Sequence, residues 1–356
     1  PTGASEVVKI GWFIIANLLF GFLFDFVNGA HGAIMSRMTQ NRKERNLLSM
    51  LAGVGVMISV VVVSWAVPYA TAKLGNSEGF SIVAIVFSII LVIGMYMTVF
   101  LTRERVSGDK FENADVAEKG IKSEKKYSLA GMFKLWAKNK ALVVLFAVSI
   151  FSWLSQGFLT GMNPIYMKYF YGNLEHLWIL TTVGSATIFP SLILAPLLAN
   201  KFGKKNMYLL GLIISGVFAI ARGFVPQGNM IVLLIIALPS GIGTGLFLGM
   251  AATIVVDAVE YGQWKNGVRS EGLNASVNNF YKKIITAFAA SVPAMVLAAS
   301  GYVANAEVQT AEALNGILWS SCFLPGICFL VSAVIFGIFF PINKKTLDKM
   351  MTELKG

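Results

Sequence analysis

Stretches of twenty or more apolar residues recur along this chain, separated by short polar segments. A helix needs about 20 such residues to cross a hydrocarbon core about 30 Å thick. The pattern predicts nine spans, near 8–36, 47–72, 79–102, 140–162, 176–200, 206–225, 229–256, 273–300 and 314–340. Backbone cannot stay unpaired in lipid, so spans of this length are helices. A transmembrane barrel would instead show short alternating strands.

The polar segments fall into two classes. Basic residues crowd into 37–45, Arg103–Lys140, Lys201–Lys205, Lys265–Arg269 and the tail from Lys344, while the intervening turns hold little beyond Lys9, Lys73 and Lys168, with Arg222 near their edge. The positive-inside rule makes the first class cytoplasmic, so the C-terminus is expected inside and the N-terminus outside. The predicted organisation is three spans (1–102), a charged cytoplasmic linker (103–139), six spans (140–343) and a cytoplasmic tail (344–356). Transporters are built from matched halves of repeated helices. Three plus six therefore implies three further spans upstream, and a chain of nine alone is expected not to transport.

Composition adds exclusions. Charged residues are 13% of the chain, about half the usual share of a soluble domain. The net charge of +11 follows the loops rather than forming a nucleic-acid-binding face. Cys322 and Cys328 share one apolar run and His31 and His176 are isolated, so neither a disulfide framework nor a metal site is expected. No nucleophile–base pair stands out. The chain is expected not to be an enzyme, to need no cofactor, and to work as a monomer in a lipid bilayer.

Polar residues at bilayer depth are costly and mark function. In the first span Asn17, Gly21, Asp25, Asn28 and Gly32 recur every three or four residues and share a face. Asp25, near mid-span, is the candidate for ion or proton handling. In the fourth span Trp153, Gln156, Thr160 and Asn163 form a similar stripe. It suits a sugar, whose C–H faces stack on an aromatic ring and whose hydroxyls pair with amides. It equally suits hydrogen bonding between helices. In the eighth span Asn279 and Lys283 share a face; entry of the helix near 273 puts Lys283 near mid-depth, and entry near 281 makes it an interfacial anchor. Gly241, Gly245 and Gly249 recur every four residues and point to close helix packing.

After that ridge comes Asp257-Ala258-Val259-Glu260-Tyr261-Gly262-Gln263-Trp264-Lys265, then Asn266-Gly267-Val268-Arg269-Ser270-Glu271-Gly272. This segment resembles the signature of the glycoside–pentoside–hexuronide:cation symporter family, melibiose-permease type, within the major facilitator superfamily. Met38-Thr39-Gln40-Asn41-Arg42-Lys43-Glu44-Arg45 resembles a second loop of that family. The resemblance runs through the whole chain and would make its spans helices four to twelve of twelve in an all-α major facilitator bundle. It implies that Asn28 stands beside the cation and sugar sites, that Asp25 is close to the cation, and that Lys283 lies between the two sites. Gly53 and Leu248 depart from the sugar-contacting arginine and tryptophan of melibiose-type members.

The expected function is symport of a glycoside, pentoside or hexuronide with Na⁺ or H⁺ by alternating access, in a bacterial inner membrane. Asp25 and Asn28 are the candidate cation site, and Asn28, Trp153, Gln156, Asn163, Asn279 and Lys283 the candidate sugar site. Asp257, Glu260, Tyr261, Arg269 and Glu271 are expected in a cytoplasmic signature loop whose salt bridges close one conformation. The rival expectations are a lysolipid or drug carrier of the same branch, and a non-transporting membrane sensor.

Overall fold

A computed structural model describes residues 5–38, 73–102, 136–172, 176–266, 288–304 and 306–355, together with Ile285 and scattered positions between 51 and 71. Its regular elements are α1 (Glu6–Met38), α2 (Asn76–Leu101), α3 (Lys140–Tyr171), α4 (Leu177–Phe202), α5 (Lys204–Arg222), α6 (Met230–Asn266), α7 (Phe288–Ala299), α8 (Ala311–Leu318), a π-helical turn (Trp319–Phe323), α9 (Leu324–Phe339) and α10 (Lys344–Lys355). Among the described residues, six helical stretches are long and apolar enough to cross a membrane: those of α2, α3, α4, α5 and α6, and the continuous run from α8 through α9. The protein is an all-α multi-pass membrane bundle. The expected spans 47–72 and 273–300 are described only in part, the latter by α7 and Ile285.

Two compact units divide the chain. One comprises residues 1–58 and 81–124, and so holds α1 and most of α2; the other comprises 59–80 and 125–356. Along α2, Ile85, Val86, Ile90 and Leu91 are all exposed, so apolar side chains clothe this helix on several faces, as hydrocarbon surroundings require.

In the second unit, α6 packs along α4 and α5, while α9 packs along α3 and α5. Glycines set the closeness of the first pairing. A Cβ on Gly249 would lie 2.6 Å from the Leu192 carbonyl oxygen, and one on Gly245 would run into the Ile188 carbonyl. On the opposite side of α6, Gly243 meets Gly211 of α5, where an added Cβ would come within 2.6 Å of the Ser215 nitrogen. Hydroxyls tie further crossings: Ser155 Oγ donates to the Pro325 carbonyl at 2.7 Å and Ser332 Oγ to the Val148 carbonyl at 3.1 Å. Leu142, Met250, Ile254, Phe329 and Phe336 fill the core between these helices.

Local signals fix the helix ends. Asn139 caps α3, its Oδ1 accepting from the amides of Ala141 (3.1 Å) and Leu142 (3.3 Å), and Gly172 ends the helix in the left-handed conformation at φ 69°. Gly203, at φ 89°, separates α4 from α5. Two helices run past the ends expected from apolar run length: α3 continues to Tyr171 through Pro164, and α6 to Asn266. Neighbouring helices and side chains accommodate a proline inside a membrane helix. Polar residues at the interface stop the apolar run without breaking the backbone ladder.

Candidate functional site

A cavity of about 220 Å³ opens in the second unit between α3, α4, α5 and α6. Four helices contribute its polar wall. Gln156, Thr160 and Asn163 come from one face of α3, Thr181 and Ser185 from α4, Arg222 from the last turn of α5, and Ser240 and Thr244 from α6. Leu159, Ile188 and Phe218 supply apolar surface between them. Ser240 and Thr244 lie roughly 15–21 Å along α6 from its start, so the cavity extends from the Arg222 end of the bundle toward its middle.

Arg222 organises that end. It is only 8% exposed. Its Nη1 donates to Asn163 Oδ1 at 2.8 Å, and its guanidinium carbon stands 4.2 Å from the centre of the Tyr166 ring. The Tyr166 hydroxyl donates in turn to the Arg222 backbone carbonyl at 3.2 Å. The position at a helix C-terminus and the ring face both favour the positive charge. Nε and Nη2 are nevertheless buried with no hydrogen-bond partner among the described residues.

The opposite end of the same unit carries an ionic clamp. Lys204 Nζ, at the start of α5, donates to both carboxylate oxygens of Asp257 on α6, at 2.7 and 2.8 Å. Side-chain exposure is 35% for the lysine and 7% for the aspartate. Asn139 Nδ2 donates to the Ala258 carbonyl at 2.8 Å, and Gly262 lies directly against the Asn139 amide. The Trp264 indole donates to Glu353 of α10, and Lys205 Nζ donates to the Phe340 carbonyl at 2.9 Å. Glu260 Oε2 is buried without a hydrogen-bond partner among the described residues.

The sequence-derived candidates distribute as follows. Gln156, Thr160 and Asn163 line one wall of the cavity, while Trp153 is 40% exposed and is not part of that wall. Asn163 accepts from Arg222, so this member of the stripe makes an interhelical hydrogen bond. Asp257, Glu260 and Tyr261 are not in a loop. All three lie in the final turns of α6, because no helix-breaking residue intervenes and the Gly262 backbone packs on Asn139. Asp25 and Asn28 fall on the second half of α1, with their side chains outside the described set. Asn279, Lys283, Arg269 and Glu271 lie outside the described residues. Sequence reasoning missed Thr181, Ser185, Ser240 and Thr244 on the cavity wall and, above all, Arg222. It had been placed at the edge of a turn, and nothing in its spacing reveals that its side chain folds inward.

The family model for MFS/sugar transport proteins matches residues 1–344. An isoprimeverose transporter of Lactiplantibacillus pentosus is 25% identical over 99% of this chain and 71% of its own length. A putative sulfoquinovose importer of Escherichia coli is 25% identical over 95% of this chain and 70% of its own. The symporter YjmB of Bacillus subtilis, itself uncharacterized, is 27% identical over 98% of this chain and 74% of its own length. These are transporters rather than enzymes. With a family match over nearly its whole length, the chain belongs to the MFS/sugar transport family, among the major facilitator symporters of glycoside–pentoside–hexuronide type.

Proposed function

We propose that this protein carries a glycoside, pentoside or hexuronide across a bacterial inner membrane together with Na⁺ or H⁺, by alternating access. One observation carries the reading: amides and hydroxyls from α3, α4 and α6 converge on a single cavity inside an otherwise apolar bundle. Sugars need that lining, since each hydroxyl donates and accepts while C–H faces rest on apolar surface. The volume, below the range of about 300–1,000 Å³ common for drug-sized ligands, suits a monosaccharide-sized group. A lysolipid carrier would need room for a long acyl chain, which a cavity of about 220 Å³ does not offer. Relatives named for isoprimeverose and sulfoquinovose support a sugar.

In this reading the Lys204–Asp257 end faces the cytoplasm, as its basic residues favour, and the clamp belongs to the conformation closed on that side. Asp25 is the carboxylate for the coupling cation. One cation entering down about 100 mV releases roughly 2.3 kcal/mol. At about 1.4 kcal/mol per tenfold, that supports accumulation of a neutral sugar well beyond tenfold. Coupling requires each ligand to raise the other's affinity by the same factor. The test is uptake of labelled sugars into vesicles under an imposed Na⁺ or proton gradient. Saturable, gradient-driven uptake supports the proposal; flux of lysolipid alone, or of nothing, refutes it.

A further inference from the structure

Arg222 is a cation held in the wall of the cavity, and three of its five N–H donors, those on Nε and Nη2, have no partner among the described residues. Nη1 is taken by Asn163 at 2.8 Å, and one face lies on Tyr166. Nε and Nη2, the neighbouring pair on one edge of the guanidinium, are buried and lack partners among the described residues. No carboxylate pairs with Arg222 among the described residues; the ion pairs there are Lys204–Asp257 and Lys349–Glu353. A purely structural strut would account for Asn163 and Tyr166 but leave the second edge empty. Buried arginine donors are ordinarily satisfied, and the Nε–Nη2 edge matches the two oxygens of a carboxylate or sulfonate.

We infer that Arg222 is the anion-recognising residue of this cavity, and that the carried sugar bears an acidic group, a carboxylate or a sulfonate. The inference rests on the sugar-transport reading above and narrows it. In this conformation the free edge is shielded from water, so the acid reaches it by a small rotation of the guanidinium about its Asn163 contact. Hydroxyls of Thr160 and Ser240, which line the same cavity, remain for the sugar ring. Arg222 thus selects among sugars by charge, while the amide and hydroxyl wall recognises them as sugars.

The test uses the full-length protein in proteoliposomes with three labelled probes: methyl glucuronide, a glucoside sulfonated at C6, and neutral methyl glucoside. Each is measured for the wild type, Arg222→Gln, Arg222→Lys and Asn163→Asp. The wild type is expected to prefer at least one acidic probe over the neutral one by tenfold or more in kcat/KM, and the two acidic arms show which acid it takes. A hydrogen bond to a charged group contributes about 1.5–3 kcal/mol. Arg222→Gln should therefore cut the acidic-over-neutral preference by about 10–150-fold, mainly through KM. Arg222→Lys keeps the charge but not the fork, and should retain only part of the preference. Asn163→Asp supplies an internal counter-ion and should also erode it, so the inference stays testable if Arg222→Gln fails to fold. Uptake of neutral sugar without acidic preference overturns the inference and leaves the transport reading standing. An unchanged preference in both Arg222→Gln and Asn163→Asp also overturns it. No uptake of any probe by folded protein removes both.

Discussion

Replacing Gly249 by alanine adds one methyl group where α6 meets α4. The new Cβ would stand 2.6 Å from the Leu192 carbonyl oxygen and 2.9 Å from the Ala195 Cβ, whereas ordinary contact begins near 3.4 Å. The obstacle is backbone, which no rotamer change can move aside. The helices must therefore part by roughly 0.8 Å, loosening contacts along the ridge that Gly241 and Gly245 share. Overpacking of this kind costs about 1–3 kcal/mol. Alanine recovers up to about 1 kcal/mol of helix propensity relative to glycine. The net expectation is a destabilisation of about 1–2 kcal/mol, and a melting temperature several degrees lower in detergent. Gly94→Ala on α2 is the matched control, because no described residue lies within 4 Å of its added Cβ. It should be neutral or slightly stabilising. Equal melting temperatures for Gly249→Ala and Gly94→Ala would refute the close-approach reasoning.

Two further perturbations act at the Lys204 end. Asp257→Asn removes a carboxylate that takes both hydrogen bonds of the clamp, while Lys204 is about a third exposed and can turn to water. The loss should disfavour the clamped conformation by about 1–2 kcal/mol, a shift of roughly 5–30-fold, seen as faster amide exchange at 200–205 together with an altered transport rate. Unchanged exchange and rate would show that the clamp does not hold a state. Asn139→Ala deletes the buried cap of α3 and its hydrogen bond to the Ala258 carbonyl, which keeps its place in the α6 ladder, so thermal unfolding should report a loss of about 1–3 kcal/mol; a loss below about 0.5 kcal/mol would contradict the assigned contacts.

How much of this was legible in the sequence depends on what kind of signal each feature leaves. Helix identity followed from run length, because lipid leaves the backbone no other choice. The Gly241–Gly245–Gly249 ridge and the Gln156–Thr160–Asn163 wall followed from a period near four, since that spacing alone places residues on one helical face. Helix ends were less accessible. Apolar runs stop at Met162 and Val256, yet the helices continue to Tyr171 and Asn266, because hydrogen bonding carries a helix through polar residues at the interface. Trp153 shares the stripe by spacing, but it lies almost a full turn beyond Gln156 along α3 and is not part of the cavity wall. Arg222 was hidden for a different reason. A lone arginine at the end of an apolar run looks the same whether it reaches out to water or folds back. Only the positions of Asn163 and Tyr166 on another helix show that it folds back.

The central claim is that an acid-coupled or sodium-coupled sugar flux passes through this bundle. Its most direct measurement is uptake of labelled glycosides, pentosides and uronides by the full-length protein in right-side-out vesicles. An inward Na⁺ gradient is imposed first and an inward proton gradient second, with Asp25→Asn run in parallel. The account predicts saturable accumulation of a sugar under one of the two gradients, collapse when that gradient is dissipated, and loss of gradient-driven accumulation in Asp25→Asn. Folded protein that accumulates no sugar under either gradient, or an Asp25→Asn variant that accumulates sugar as the wild type does, would contradict it.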